Sequence, residues 1–308
     1  MTKLVVVGAV AWDRPIYLDG RLAPGARLHA RTIQAQESVT LSGDIERTIP
    51  GRLGGGGATA AVALAHAGHE VGVISCVATD TAGNAAFDAT QRAGVSTDWI
   101  VRTPPSGRTT LILISGDGER SVIHLSGETP QDYDPLPAGP LTVACEQASN
   151  WNASGVFARA KVPGIEVVIS RCCGWTVAHW PMRGTLSADV LVGSADDLCL
   201  DANDDPFLAA REIAGDRLRW AVVTEGASGA RACNGEHMVF ARAVERPVID
   251  TTGAGDCFGA GLLEALTAGA PMAEALRHAA AWGADAVGLD QSAPVRASQD
   301  QFGRYFPR

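Results

Sequence analysis

The sequence predicts an α/β protein built on a doubly wound, mostly parallel β-sheet that is flanked by helices. Apolar runs of strand length alternate along the chain with segments of helical spacing, which is typical of strand–helix–strand units. The runs at 4–7 and 71–77 are those expected for buried parallel strands. Glycine-rich turns precede the predicted helices at 57–66 and 257–268, and they add a third indication of this architecture.

The remaining elements follow from the same local signals. Further short apolar runs predict strands at 141–146, 165–170, 189–192 and 220–224. Asp80 begins a helix that ends before Gly94, and Pro271 stands at the start of a helix that extends to residue 286. The runs at 109–115 and 121–125 flank a Gly-Asp-Gly-Glu turn and predict a hairpin. Short alternating segments between residues 14 and 52 predict antiparallel strands that project from the main body.

The composition is that of a soluble globular protein of 308 residues, with 46% hydrophobic and 19% charged residues. The net charge of −9 argues against nucleic acid as the main partner and against an anionic membrane surface. The seven cysteines form no C-x-x-C pair, so neither a disulfide framework nor a zinc site is expected. With no signal peptide and no run long enough to span a bilayer, we expect a cytoplasmic protein.

The segment 248–261 carries the strongest chemical signal in the chain. A β-branched run leads into a turn that contains Gly253 and Gly255, and an apolar helical run starts at Cys257. The first amides of a helix lack internal partners and lie at the positive end of its dipole, so this turn can bind an anion. Asp256 beside a bound phosphate would suit a base that deprotonates an attacking hydroxyl. The alternative interpretation is an ordinary acid in a first helical turn.

The run Asp-Thr-Thr-Gly-Ala-Gly-Asp-Cys-Phe-Gly-Ala-Gly at 250–261 closely resembles the C-terminal signature of the ribokinase-like carbohydrate kinases of the phosphofructokinase B type. The resemblance implies a ribokinase-like fold and ATP-dependent phosphorylation of a hydroxymethyl group on a sugar or sugar-like molecule. It implies Asp256 as the base and the amides of Gly253, Ala254 and Gly255 as an anion hole for the transferring phosphoryl group. Mg²⁺ would neutralise the ATP.

The resemblance also implies that the chain is divided into a core and a small β-sheet lid over the sugar. The nucleotide- and substrate-binding core would comprise residues 1–13, 53–103 and 127–308. The lid would comprise residues 14–52 and 104–126. Family members often form homodimers through their lids, so a homodimer is also implied.

The resemblance places the sugar near the start of the chain. Asp13 matches the acid of the family's Asn-x-Asp motif, with Ala11 in place of the Asn; from position alone Asp13 is equally an ordinary turn residue. A glycine loop would present its backbone to the sugar at Gly55, Gly56 and Gly57. Thr59 replaces the usual Asn after this loop, and its fewer hydrogen-bonding options imply a substrate other than ribose. Glu146 matches a sugar-contacting acid, or is an exposed acid at the end of a strand.

Two turns in the C-terminal half resemble the family's nucleotide-binding elements. Ser194 and Asp197 occupy the polar positions of an Asn-x-x-Glu motif that helps to organise Mg²⁺ and phosphate. A helix-capping serine followed by acids in the first turn is the alternative. Thr224, Gly226 and Gly229 match a Thr-x-Gly-x-x-Gly nucleotide loop, and a simple turn after a strand is the alternative.

Two further assignments depend on the resemblance alone. His278 would lie near the adenine, or would pack between helices. Four residues match a segment that surrounds a monovalent cation in many family members, namely Asp250, Thr252, Gly288 and Ser292. Most ligands in such sites are backbone carbonyls, which the sequence constrains poorly, and K⁺ is the candidate cation.

Two rival functions follow from departures at the substrate side. A nucleoside kinase of the same fold would replace some sugar contacts by base stacking, for which Trp12 beside Asp13 is a candidate. A non-catalytic sugar or nucleotide sensor on a kinase scaffold would explain why Ala11, Thr59 and Ser194 differ from the family pattern. The presence of Asp256 favours an enzyme.

Overall fold

The structure is a computed structural model. It describes the following residues: 3–21, 28–32, 38–41, 45–48, 50–103, 109–116, 120–125, 167–171, 175–180, 188–198, 205–295, 297 and 301–305. The strand predicted at 141–146 lies outside these ranges, and so does Glu146.

The predicted alternation of strands and helices is confirmed in the described ranges. The strands are β1 (Lys3–Gly8), β2 (Ala11–Leu18), β3 (Ala30–Thr32), β4 (Ser38–Leu41), β5 (Ile45–Thr48), β6 (Arg52–Gly54), β7 (Glu70–Ala78), β8 (Ile100–Thr103), β9 (Thr109–Ile114), β10 (Arg120–Leu125), β11 (Val167–Arg171), β12 (Thr176–His179), β13 (Val190–Ser194), β14 (Trp220–Thr224), β15 (Ala230–Cys233) and β16 (Met238–Ala241). The helices are α1 (Gly56–His66), α2 (Thr81–Arg92), α3 (Ala195–Leu198), α4 (Pro206–Ala214), α5 (Ala254–Thr267) and α6 (Met272–Val287). Within these ranges no helix is long and apolar enough to cross a membrane.

The main sheet has nine strands in the order β16-β15-β14-β13-β12-β11-β1-β7-β8. The neighbours β1, β7 and β8 run parallel, and so do β12, β13 and β14. β11 is antiparallel to both of its neighbours, and β15 and β16 extend the sheet as antiparallel strands. The α/β fold is therefore as predicted, with a more mixed sheet, because the short connections before β12, β15 and β16 allow only antiparallel pairing.

Strand β1 lies between two hydrophobic clusters. Leu4 and Val6 belong to the cluster under α1, α5 and α6, whereas Val5 and Val7 belong to the cluster under α4. These four residues are at most 3% exposed. Because successive side chains of a strand point to opposite faces, a strand that is covered on both faces requires an uninterrupted apolar run.

A second sheet has the order β10-β9-β2-β3, with β6 paired to β2. The predicted hairpin is confirmed, since β9 and β10 pair antiparallel along their length. β2 begins at Ala11 and β6 ends at Gly54, a few residues beyond the boundaries predicted for the lid. The division into core and lid stays a prediction. The pairing sets Asp13 opposite Arg52, and it thereby brings together two charged residues that are distant in the sequence.

Candidate active site

Residues 250–255 comprise the turn before α5 and the first two residues of this helix, and this segment is here named the anion turn. Gly253 is the N-cap of α5 and has a left-handed conformation with φ of 82°. A Cβ atom on Gly253 would lie 2.5 Å from the Ser292 carbonyl oxygen and 2.9 Å from Thr59 Cγ2, so this position requires glycine. A Cβ atom on Gly255 would meet no other atom within 4 Å. The start of α5 thus combines a tightly packed cap with open space over its first turn, an arrangement that suits a bound anion.

Asp256 lies in the first turn of α5, close to His179 at the end of β12. The His179 Nε2 atom is 3.6 Å from Asp256 Oδ1, and the two side chains are 19% and 16% exposed. Polar residues at the carboxyl ends of parallel strands commonly line ligand sites in α/β proteins. His179 is not among the residues that the sequence predicts. The signal that points to it is the short run Thr176-Val177-Ala178, which has strand character and ends at a titratable residue.

Asp13 is buried on β2 beside Gly54. The residue is 3% exposed, and a Cβ atom on Gly54 would lie 1.8 Å from Asp13 Oδ2. Burial raises the pKa of Asp13, and its hydrogen bond with Ser292 and the charge of Arg52 only partly oppose this rise. The carbonyl oxygen of Ser292 faces Gly253. Asp13 and the anion turn are therefore joined through one residue, Ser292.

The glycine loop before α1 packs against the end of β1. Gly55 caps α1 with φ of 83°, and a Cβ atom there would lie 2.6 Å from the Ala9 carbonyl oxygen. A Cβ atom on Gly57 would lie 2.5 Å from the Gly8 carbonyl carbon. Gly56 between them is the first residue of α1. Close backbone approach is thus one reason for this glycine run, and its contact with a sugar stays a prediction.

Thr59 connects the glycine loop to the anion turn. Its Oγ1 atom donates a hydrogen bond to the Gly55 carbonyl oxygen at 3.0 Å, and the residue is 1% exposed. Its methyl group faces Gly253. The structure thus gives Thr59 a packing role between two glycine turns, and direct contact with a substrate stays a prediction.

The predicted nucleotide-binding residues lie where parallel strands end. Ser194 on β13 pairs in register with Thr224 on β14, so the two polar residues are neighbours at one edge of the sheet. Gly226 and Gly229 follow in a short turn, with φ values of 54° and 114° that favour glycine. Asp197 lies in α3, directly after β13, and its side chain is outside the description. The structure brings these residues to one edge, and their contact with a nucleotide stays a prediction.

His278 lies in a polar cluster between α5 and α6. Its Nε2 atom is 3.3 Å from Glu264 Oε2, and its ring centroid is 5.4 Å from that of Trp282 and 5.8 Å from that of Tyr305. His69 Nε2 lies 3.4 Å from the other oxygen of Glu264. The His278 side chain packs between helices, which is the alternative that the sequence left open, and its contact with the adenine stays a prediction.

Glu264→Gln is expected to destabilise the folded protein at neutral pH. Burial raises the pKa of Glu264, but the close contacts with His278 and His69 and the hydrogen bond from the Tyr305 amide outweigh it and lower the pKa to about 2. A carboxyl group whose pKa is lower in the folded chain than in the unfolded chain stabilises the fold above the unfolded pKa, and this contribution is lost as the pH falls toward the folded pKa. Denaturant unfolding should show a difference of about 2–3 kcal/mol between wild type and variant at pH 7.

This difference should shrink as the pH falls from about 5 toward 2, because the wild-type carboxyl group then becomes protonated as well. Glu236→Gln is the matched control, since the Glu236 side chain is 84% exposed and should contribute little at any pH. An equal free-energy difference between wild type and Glu264→Gln at pH 7 and pH 3 would contradict the assignment.

Arg52 lies at the predicted monovalent-cation site. Its guanidinium donates to the Asp250 carboxylate, and its Nε atom donates to Ser292 Oγ at 3.0 Å. Asp250 Oδ1 accepts the Thr252 amide at 2.8 Å, so both carboxylate oxygens already have partners. Gly288 ends α6. A second cation at this place would face the buried guanidinium, and like charges repel strongly where water is excluded. The residues therefore do not fit K⁺, and that prediction is corrected.

Comparisons with known proteins agree with this architecture. The chain matches the family model described as pfkB family carbohydrate kinase over residues 27–161 and 188–294. It is 30% identical over 263 residues to the aminoimidazole riboside kinase of Salmonella typhimurium, with 76% of this chain and 81% of the relative covered. It is 29% identical over 313 residues to the ATP-dependent ribose-1-phosphate kinase of Halopiger xanaduensis, with 96% of each covered.

The solved structure of ribokinase from Giardia lamblia has the same fold. It superposes with a TM-score of 0.70 at 16% identity, and 98% of each chain is covered. The family model covers more than half of the chain. The protein therefore belongs to the pfkB family of carbohydrate kinases.

Proposed function

We propose that this kinase transfers the terminal phosphoryl group of ATP to a hydroxymethyl group of a sugar or sugar-like small molecule. The observation that carries the proposal is the anion turn, which has Asp256 in the following helical turn and is joined through Ser292 to the buried Asp13. Contacts through Ser292 thus link the turn that would hold the phosphoryl group, which is followed by Asp256, to a buried carboxyl group that would bind the acceptor. The names of the two relatives, a ribose-1-phosphate kinase and a riboside kinase, support this class of acceptor.

Asp256 acts as the general base in this proposal. It takes the proton from the acceptor hydroxyl as the oxygen attacks, a role that contributes about 10²–10⁴-fold to the rates of enzymes. The amides of Gly253, Ala254 and Gly255 stabilise the charge on the transferring group, which is the main task of a protein in phosphoryl transfer. The packing behind Gly253 holds the turn in place, and the space over Gly255 admits the phosphoryl group. His179, with its Nε2 atom 3.6 Å from Asp256 Oδ1, orients the carboxylate.

Asp13 binds sugar hydroxyls at the other end of the site. Its carboxyl group is buried beside Gly54 and hydrogen-bonded with Ser292, and its oxygen atoms can accept hydrogen bonds from hydroxyl groups. The backbone of the glycine loop at 55–57 would line the same pocket. Closure of the second sheet over the site would exclude water that otherwise hydrolyses ATP.

The nucleotide is held by residues at the ends of β13 and β14, namely Ser194, Asp197, Thr224, Gly226 and Gly229. Mg²⁺ prefers oxygen ligands and retains several waters, so it would enter on the phosphates of ATP. Within the described part of the chain, no group of three or more His, Cys, Asp or Glu residues is placed to hold a metal ion by itself. A homodimer formed through the second sheet stays a prediction.

A nucleoside kinase of the same fold is the second candidate, and the riboside kinase among the relatives favours it. Trp12, the candidate for base stacking, is packed inside the protein. It is 4% exposed, its Nε1 atom donates to the Pro50 carbonyl oxygen at 3.3 Å, and a Cβ atom on Gly51 would lie 2.1 Å from that nitrogen. Because the indole is packed inside the protein, a nucleoside would have to be recognised by other residues.

A panel of sugars, sugar phosphates and nucleosides tests the proposal. ATP-dependent release of ADP identifies the acceptor, and a thermal-shift assay with the same panel measures binding, because a ligand that binds only the folded state raises the melting temperature. We expect one acceptor class to produce both signals. Binding of a sugar or nucleotide without release of ADP above background would contradict the kinase and favour the sensor.

A further inference from the structure

Arg52 is a buried cation that the proposed mechanism does not use. It begins β6 in the second sheet, opposite Asp13 on β2, and its side chain is 3% exposed. Its guanidinium reaches out of this sheet to Asp250, the first residue of the anion turn, and to Ser292, whose carbonyl oxygen packs against Gly253. One side chain thus connects the predicted sugar side with the predicted phosphoryl side.

Each of three acceptors around Arg52 takes a different nitrogen atom of its guanidinium. Asp250 is 0% exposed and also accepts the Thr252 amide, directly before Gly253. Ser292 accepts from Arg52 Nε at 3.0 Å, and its carbonyl oxygen packs against Gly253. Asp290 accepts from Arg52 Nη1 at 3.3 Å. The rigid fork of a guanidinium can satisfy three such acceptors at once, which a single ammonium point charge cannot do in the same way.

Arg52 is the cationic partner of the buried Asp250 carboxylate. The Asp250 side chain has no exposed surface and would be costly to bury without a cationic partner, whereas the Asp290 side chain is 47% exposed and is stabilised by water as well. The Tyr17 hydroxyl donates to Asp290, which ties β2 to the same cluster. A monovalent cation added beside Asp250 would have to lie next to the buried guanidinium that already partners this carboxylate.

We infer that the Arg52 guanidinium takes the place of a bound monovalent cation beside the anion turn and that this kinase works without K⁺. Arg52 holds Asp250 and Ser292, and through them it keeps Thr252 and Gly253 in the conformation that the transferring phosphoryl group requires. It is a positioning residue, because it acts through these neighbours. The inference rests on the proposed function insofar as it assigns the anion turn to phosphoryl transfer.

The first experiment uses the wild-type protein in buffers that contain K⁺, Na⁺ or tetramethylammonium at equal ionic strength. We expect kcat/KM to change by less than about twofold and the melting temperature to be the same in the three salts, because equal ionic strength keeps screening constant. Activation by K⁺ of about tenfold or more over tetramethylammonium, or a K⁺-specific rise of the melting temperature, would overturn the inference. The melting temperature can be measured in the three salts even if no acceptor is found. The experiment therefore distinguishes failure of the proposed function from failure of this inference.

The second experiment removes the guanidinium. We expect Arg52→Ala to lower kcat about 10²-fold and the melting temperature by roughly 5–10 °C, since Asp250 loses its partner and the anion turn loses its support. Added methylguanidinium should restore much of both, because it can fill the vacated space with the same charge and donors. A folded Arg52→Ala protein with kcat within a few-fold of wild type would contradict the role of Arg52.

Arg102→Ala is the matched control. Arg102 is a partly buried arginine, which donates to the Ala78 carbonyl oxygen at 2.9 Å and stacks over Phe87 at 4.9 Å. Its removal should lower the melting temperature without lowering kcat.

If Arg52→Ala does not fold, Arg52→Lys is tested in its place. Because Lys keeps the charge and loses the fork, we expect a folded enzyme with kcat reduced about tenfold or more, and wild-type kcat would contradict the positioning role.

Discussion

Asp256→Asn is expected to lower kcat by about 10²–10⁴-fold, the range that a positioned general base contributes. Asn has nearly the same size and keeps one acceptor oxygen, but its amide cannot take up the proton of the attacking hydroxyl. Because the substitution leaves the anion turn and the nucleotide loop intact, KM for ATP should change much less than kcat. Steady-state release of ADP with the acceptor found in the panel measures both constants.

Asp205→Asn is the matched control for this experiment. Asp205 also lies at a helix N-terminus, where it accepts the Phe207 amide at 2.9 Å, but it caps α4 on the opposite face of the main sheet. Asn is a good N-cap, so this variant should keep wild-type kcat and a similar melting temperature. If Asp256→Asn retained kcat within a few-fold of wild type, Asp256 would not be the base.

Gly253→Ala is expected to impair folding and activity together. The φ of 82° places a non-glycine residue in an unfavourable conformation, at a cost of about 1–2 kcal/mol. The new Cβ atom would also lie 2.5 Å from the Ser292 carbonyl oxygen, so the anion turn must move. Since displacement of an anion-hole donor typically costs about 10²–10³-fold in kcat, we expect a loss of that order together with a lower melting temperature.

Gly255→Ala separates the anion site from the packing of the turn. Gly255 lies in α5, and its Cβ atom would meet no other atom within 4 Å, so the melting temperature should not fall. The added methyl group would occupy the space assigned to the phosphoryl group, and affinity for ATP or kcat should therefore fall. If Gly255→Ala kept wild-type affinity and wild-type kcat, the phosphoryl group would have to lie elsewhere.

The fold is largely predictable from local sequence signals. The uninterrupted apolar run of β1 predicts a strand covered on both faces, and Leu4 and Val5 indeed face different clusters. The hairpin β9–β10 and the starts of α2 and α6 also follow from turn and helix-start residues. The antiparallel orientation of β11 is harder to predict, because strand direction depends on how the chain returns to the sheet and not on the residues of the strand.

The candidate site can be predicted from the sequence only where its residues lie close together in the chain. Gly253 and Asp256 lie within four residues of each other, so one motif carries both the turn and the acid. His179 and Arg52 lie far from this motif in the sequence, and neither has a local signal that relates it to Asp256 or to Asp250. For Trp12 and Thr59, a position close to the predicted motifs is a poor guide to the role of the side chain. Trp12 lies beside Asp13 and Thr59 follows the glycine loop, but both side chains pack inside the protein.

By itself the sequence determined the fold class, the family and the turn that begins α5, because these depend on residues adjacent in the chain. Only the tertiary structure decided that Arg52 lies where a monovalent cation was predicted. The pairing of β6 with β2 places Arg52 opposite Asp13, and its contact with Asp250 joins residues almost two hundred positions apart. Such a contact is selected by burial and charge balance in the folded chain, and no local pattern encodes it.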